Sequence, residues 1–67
     1  MEPGKIIAFD PTDGLGWVQL DDGRQVRFSL TACGYMRPEV GKRVRVLGLA
    51  PGYQGKPKAA FLEPEEP

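Results

Sequence analysis

The sequence has no histidine and a single cysteine among its 67 residues. Without histidine the commonest general acid–base side chain is missing, and Cys33 has no imidazole to activate it as a nucleophile. A lone cysteine forms no internal disulfide, so a reducing cytoplasm is the default compartment. One thiol and scattered carboxylates do not make a zinc or calcium set. No apolar run approaches the roughly 18 residues of a membrane-spanning helix. The opening MEPGKIIAFD lacks the charged start and apolar core of a secretory leader. Net charge is missing too, since nine basic residues cancel nine acidic ones. These absences predict a small non-enzymatic module with no catalytic residue, cofactor, metal or membrane partner.

Glycine and proline are plentiful. Nine glycines and seven prolines interrupt the chain too often for long helices, and short alternating runs between them predict a small all-β sandwich or barrel. Strands are expected near Lys5–Phe9, Gly14–Leu20, Arg24–Leu30, Lys42–Leu49 and Lys58–Leu62. The adjacent Ile6 and Ile7 blur the alternation of the first. DDG at 21–23 suits a hairpin loop, with Gly23 free to adopt positive φ. Residues 31–41 read as an irregular connection. The folded unit is expected over 1–62, followed by an acidic, proline-rich and disordered tail at 63–67. Three acids fall in that tail, so residues 1–62 carry nine basic groups against six acidic ones, a net of +3.

Strand periodicity places one residue conspicuously. If Val18 and Leu20 face the core with Val26 and Phe28, then Leu15, Trp17 and Gln19 take the opposite face. Arg27 and Ser29 become their cross-strand neighbours. An outward tryptophan beside an arginine is equipment for stacking bases. The structural alternative is a large side chain capping one end of a barrel. Among the other cations, Arg43 and Arg45 read as the solvated side of a strand. Lys5, Lys56 and Lys58 are candidates to carry charge toward a phosphate backbone. APGYQGKP approaches a phosphate loop but has Pro57 where a magnesium-binding hydroxyl must stand, and proline blocks the helix that should follow.

In its order of residues the chain resembles a bacterial cold-shock domain, over about residues 4–62. GKIIAFD lies over that family's opening strand, whose signature is KWFN. DGLGWV lies over its first ribonucleoprotein motif, KGFGFI, and QVRFSLTAC over the second, DVFVHFSAI. VGKRVRV matches EGQxVxF, and GKPKAAFL matches KGPQAxNV through Pro57 and Ala59. The resemblance implies a five-stranded antiparallel OB-type β-barrel that binds single-stranded nucleic acid on an aromatic face. Carried over one position at a time, that face is depleted. The family's strand-one tryptophan falls on Ala8, while the phenylalanine after it is kept as Phe9. The first motif's lysine falls on Asp13, and its two phenylalanines fall on Leu15 and Trp17. In the second motif phenylalanine, histidine and the next aromatic fall on Arg27, Ser29 and Leu30. A loop aromatic falls on Tyr35.

Each base stacked on an aromatic is worth roughly 1–3 kcal/mol, so the loss of about four platforms predicts weak, salt-dependent and sequence-tolerant binding of single-stranded RNA or DNA. Trp17 would be the chief platform, with Phe9 and Tyr35 assisting. Arg27 would stack or neutralise phosphate, and Lys5, Lys56 and Lys58 would add charge. The alternative is a protein partner or self-association on the same face, since tryptophan and arginine dominate interface hot spots. Glu63, Glu65 and Glu66 could fold back on the basic face and compete with phosphate; the alternative is a solvated tail.

Overall fold

The computed structural model describes residues 2–52 and 56–65. Seven short strands and one 3-10 helix make up its regular structure: β1 (Glu2–Asp10), β2 (Leu15–Leu20), β3 (Gln25–Ser29), the 3-10 helix Leu30–Cys33, then β4 (Arg43–Val46), β5 (Leu49–Pro51), β6 (Pro57–Ala59) and β7 (Leu62–Pro64). They form one sheet in the order β5-β6-β3-β2-β1-β4-β7, and the fold is all-β. No helix among the described residues is long and apolar enough to cross a membrane.

The first three strands form an antiparallel meander. Val18 opposes Val26 and Ile6, and Gly16 opposes Phe28 and Phe9. The loop between β2 and β3 is a three-residue hairpin connection. Gly23 N–H donates to Leu20 O at 2.9 Å, Leu20 N–H donates to Arg24 O at 2.7 Å, and Gly23 sits at φ 97°. A type I turn completed by a left-handed residue is the usual geometry for this loop length. The doublet Ile6–Ile7 is explained by a bulge: the β1–β2 register shifts between Ile6 and Ala8. One extra residue inverts the alternation along β1, so Ile6 is buried, Ala8 is exposed beside Trp17, and Phe9 packs against the core.

The expected count of five strands is corrected to seven, and the cause is a bend. Partners run Val44↔Pro64, Arg45↔Glu63 and Val46↔Leu62, then resume in the same register at Leu49↔Ala59, Ala50↔Lys58 and Pro51↔Pro57. Between the two halves Leu47 N–H donates to Phe61 O at 2.8 Å and Ala60 N–H to Gly48 O at 3.0 Å. The hydrogen-bond ladder is therefore continuous, but Gly48 at φ 83° turns the chain out of strand geometry and divides each long strand in two. Through this bend the hairpin reaches both sides of the meander. β4 pairs with β1, and β6 pairs in parallel with β3 at Arg27↔Lys58. The sheet is thus strongly curled.

Inside the curl Ile6, Val18, Leu20, Val26, Phe28, Val44, Val46 and Leu62 are each at most 2 % exposed. The alternation that placed Val18, Leu20, Val26 and Phe28 inward is observed. The 3-10 helix adds Ala32 and Cys33 to this core, and burial pushes the Cys33 thiol above its ordinary pKa.

The boundary expected at Leu62 is also corrected. Glu63 and Pro64 belong to β7, and Glu65 N–H donates to Arg43 O at 3.1 Å. Buried Leu62 anchors the segment, and Arg45–Glu63 at 3.1 Å and Arg43–Glu65 at 3.0 Å hold the acids over β4. Glu66 and Pro67 lie outside the described residues. Arg43 also grips Asp21 through two bonds of 2.9 Å. That hydrogen bonding holds the Asp21 carboxyl below its ordinary 3.8. A lowered pKa means that ionised Asp21 favours the folded state, so its contribution is complete above about pH 4 and is lost as pH falls through the lowered value. In unfolding measurements from about pH 6 to about pH 2, wild type is expected to lose stability more steeply below about pH 4 than Asp21→Asn, and concentrated salt should shrink the difference. Parallel pH profiles would remove the Asp21–Arg43 pair from the account.

Candidate functional site

Trp17 is positioned by three neighbouring strands. Its cross-strand partners are Ala8 on β1 and Arg27 on β3, so a methyl group lies on one side and a guanidinium on the other. The Arg27 Cζ stands 5.2 Å from the centre of the Trp17 ring, and the Lys56 Nζ stands 5.6 Å from it. Both distances are within cation–π range. The ring is half-buried, and a shallow depression of about 290 Å³ opens beside it, lined by Ala8, Phe9, Asp10, Asp13, Trp17 and Arg27 among others. Arg27 Nε is shielded from solvent and has no hydrogen-bond partner among the described residues. The guanidinium is therefore held by the tryptophan rather than by an acid.

A second depression, of about 410 Å³, adjoins the first, because Leu15 and Arg27 line both. Its other walls include Ser29, Pro51, Gly52 and Lys58. Parallel pairing of β3 with β6 puts Lys58 directly beside Arg27. Together the two depressions form a groove along the Trp17 face, with Ala8, Phe9, Leu15, Phe28 and Pro51 as apolar parts of its lining.

The residues singled out from the sequence are thus distributed unevenly. Trp17, Arg27 and Lys56 converge, with Phe9 in the wall and Lys58 along the groove. Phe9 is not a free platform, because its ring stacks on buried Phe28 with centroids 5.9 Å apart and planes 7° apart. The bulge turned it toward the core. Lys5 lies on the same sheet face but further along β1, opposite Gln19 and Arg43, where it lines a different depression. Tyr35 is fully exposed and borders a separate apolar hollow with Met36 and Phe61. The structure does not bring Lys5 or Tyr35 to Trp17.

Three further arginines are occupied by acids. Arg24 bonds to Glu2 and, at 2.8 Å, to Asp22; Arg43 and Arg45 hold Asp21, Glu65 and Glu63. Among the described residues no group of three His, Cys, Asp or Glu is placed to hold a metal ion. Leu15 lines the groove on the Trp17 face where strand periodicity put it, whereas Asp10 was missed as part of the wall. The register of a bulged strand decides where residue 10 points, and no local signal marks that bulge except the Ile6–Ile7 doublet. No protein-family model matches the chain, and no curated protein matches it significantly.

Proposed function

We propose that the chain is a cold-shock-like OB-type barrel whose Trp17 groove binds single-stranded nucleic acid weakly and in a salt-dependent way. The reading of seven strands as five bent ones rests on the unbroken register through Gly48 and on the parallel β3–β6 pairing, which together bring the hairpin to both edges of the meander. The observation that carries the functional reading is the convergence of two cations on one half-buried tryptophan. Neither Arg27 nor Lys56 has an acidic partner among the described residues, so both remain available to phosphate, while Trp17 offers a surface for a base. Stacking of this kind is tolerant of sequence because every base has a π-face.

Quenching of Trp17 fluorescence by oligothymidylate and oligouridylate, at low and at physiological salt, tests the reading. Saturable quenching that weakens with salt is expected. Trp17→Ala, followed by the anisotropy of a labelled oligonucleotide, is expected to lose about 1–3 kcal/mol of binding. An unchanged affinity would remove Trp17 from the site. The exposure of Leu15 beside the groove, at 40 %, favours a second reading, a protein partner or a second copy on the same face. A flat titration by folded protein, with sedimentation that depends on concentration, would select it.

A further inference from the structure

The groove is charged unevenly. Asp10 and Asp13 edge the depression beside Trp17, whereas Lys58 lines the adjoining one, with Arg27 shared by both and Lys56 over the tryptophan ring. Carboxylates repel phosphate and lysines attract it. A strand lying here therefore runs its backbone along Arg27, Lys56 and Lys58, and directs a base stacked on Trp17 toward the two acids. Asp10 is partly committed, because its Oδ1 accepts from the Thr12 amide at 2.9 Å. Asp13 has no side-chain hydrogen bond or ion pair among the described residues, and it is exposed at the rim.

A carboxylate only accepts hydrogen bonds, and it does so through two parallel oxygens. The base edge that complements it must offer two adjacent donors. Guanine does, through its ring N1–H and exocyclic amine. Adenine and cytosine each set one amine beside an acceptor nitrogen, and thymine and uracil set one N–H between two carbonyls. We propose that Asp13 makes the Trp17 subsite prefer guanine. The proposal rests on the nucleic-acid reading of the groove and adds to it one position of selectivity on an otherwise tolerant surface. It also gives Asp13 a role: a carboxylate that weakens phosphate binding in general stands where it can read a base.

The test uses hexathymidylate and three derivatives in which the same internal thymidine is replaced by guanosine, inosine or adenosine. Binding is read by Trp17 quenching. Wild type is expected to bind the guanosine form about fivefold or more tighter than the adenosine form, the lower end of what a bidentate pair discriminates. Inosine, which lacks the amine, is expected to fall between them. Asp13→Ala is expected to bind hexathymidylate and the adenosine form more tightly at low salt and to lose the preference for guanosine. Equal affinities for the guanosine and adenosine forms, or a preference that survives Asp13→Ala, would overturn the assignment while leaving the nucleic-acid reading standing. Quenching by none of the four would overturn both.

Discussion

Gly16→Ala is expected to destabilise the protein by about 3 kcal/mol or more, at the upper end of the range for overpacked cores. A Cβ built on Gly16 would stand 2.5 Å from Ala8 O and 2.6 Å from both Cε1 and Cζ of Phe28. None of these atoms can retreat cheaply. Ala8 O belongs to the backbone of β1, which is paired with β2 at this point, and the Phe28 ring is 1 % exposed and stacked on Phe9. A domain of this size has a total stability of only about 3–10 kcal/mol, and each kcal/mol lowers Tm by roughly 4–8 °C. Thermal melting by circular dichroism should therefore show a drop of more than about 12 °C or no folded baseline at all. Phe28→Ala alone is expected to cost about 3–5 kcal/mol. Combining the two should cost less than their sum, because removing the ring removes two of the three clashes. A Gly16→Ala variant within about 1 kcal/mol of wild type would refute this packing. The same glycine matters to the groove, since any displacement of Ala8 or Phe28 moves the wall and floor on which Trp17 and Arg27 sit.

Much of this arrangement is legible in the sequence, and the parts that are not have definite causes. Period-two alternation is a local property, and it placed Trp17 outward beside Arg27 while Val18, Val26 and Phe28 turned inward. The DDG turn fixed the register between β2 and β3, so that cross-strand pair followed. Phe9 is different. Its orientation depends on the extra residue at Ile7, and a doublet of isoleucines announces a bulge without saying which phase the strand resumes. Tyr35 depends on the path of residues 31–41, which follows no periodic rule. Leu30–Cys33 instead forms a 3-10 helix, with Ala32 and Cys33 turned into the core. The acidic segment illustrates a third limit. Glu and Pro are poor strand residues, and composition alone reads Glu63–Glu65 as tail. Arg43 and Arg45 are some twenty residues away in sequence, yet they face those acids across the ladder and hold them there. Local pattern thus gives the face on which a side chain stands, while long-range pairing decides which charges remain free.

That division of the cations sets the last and largest effect on binding. Reversing Arg27, Lys56 and Lys58 together, each to Glu, is expected to weaken binding of oligothymidylate by more than about a hundredfold at low salt. Each of the three borders the groove or the Trp17 ring, and none has an acidic partner among the described residues. If each neutralises one phosphate, the dependence of log affinity on log salt should be about −2 for wild type, at roughly −0.7 per phosphate on a single strand, and close to flat for the variant. The control is Arg43→Glu with Arg45→Glu, read against the pair Arg27→Glu with Lys58→Glu so that both variants change the net charge by the same amount. The guanidinia of Arg43 and Arg45 are already engaged by Asp21, Glu65 and Glu63, so a phosphate would have to displace an ion pair to gain one. Their reversal is expected to weaken binding far less than that of the pair. Circular dichroism and melting of all three variants would show that the fold is intact. If the control lost as much as the pair, the backbone path would run over β4, away from Trp17. If no variant lost affinity, the convergence of Arg27 and Lys56 on Trp17 would be structural: a cation–π clamp on the curled sheet, binding no phosphate.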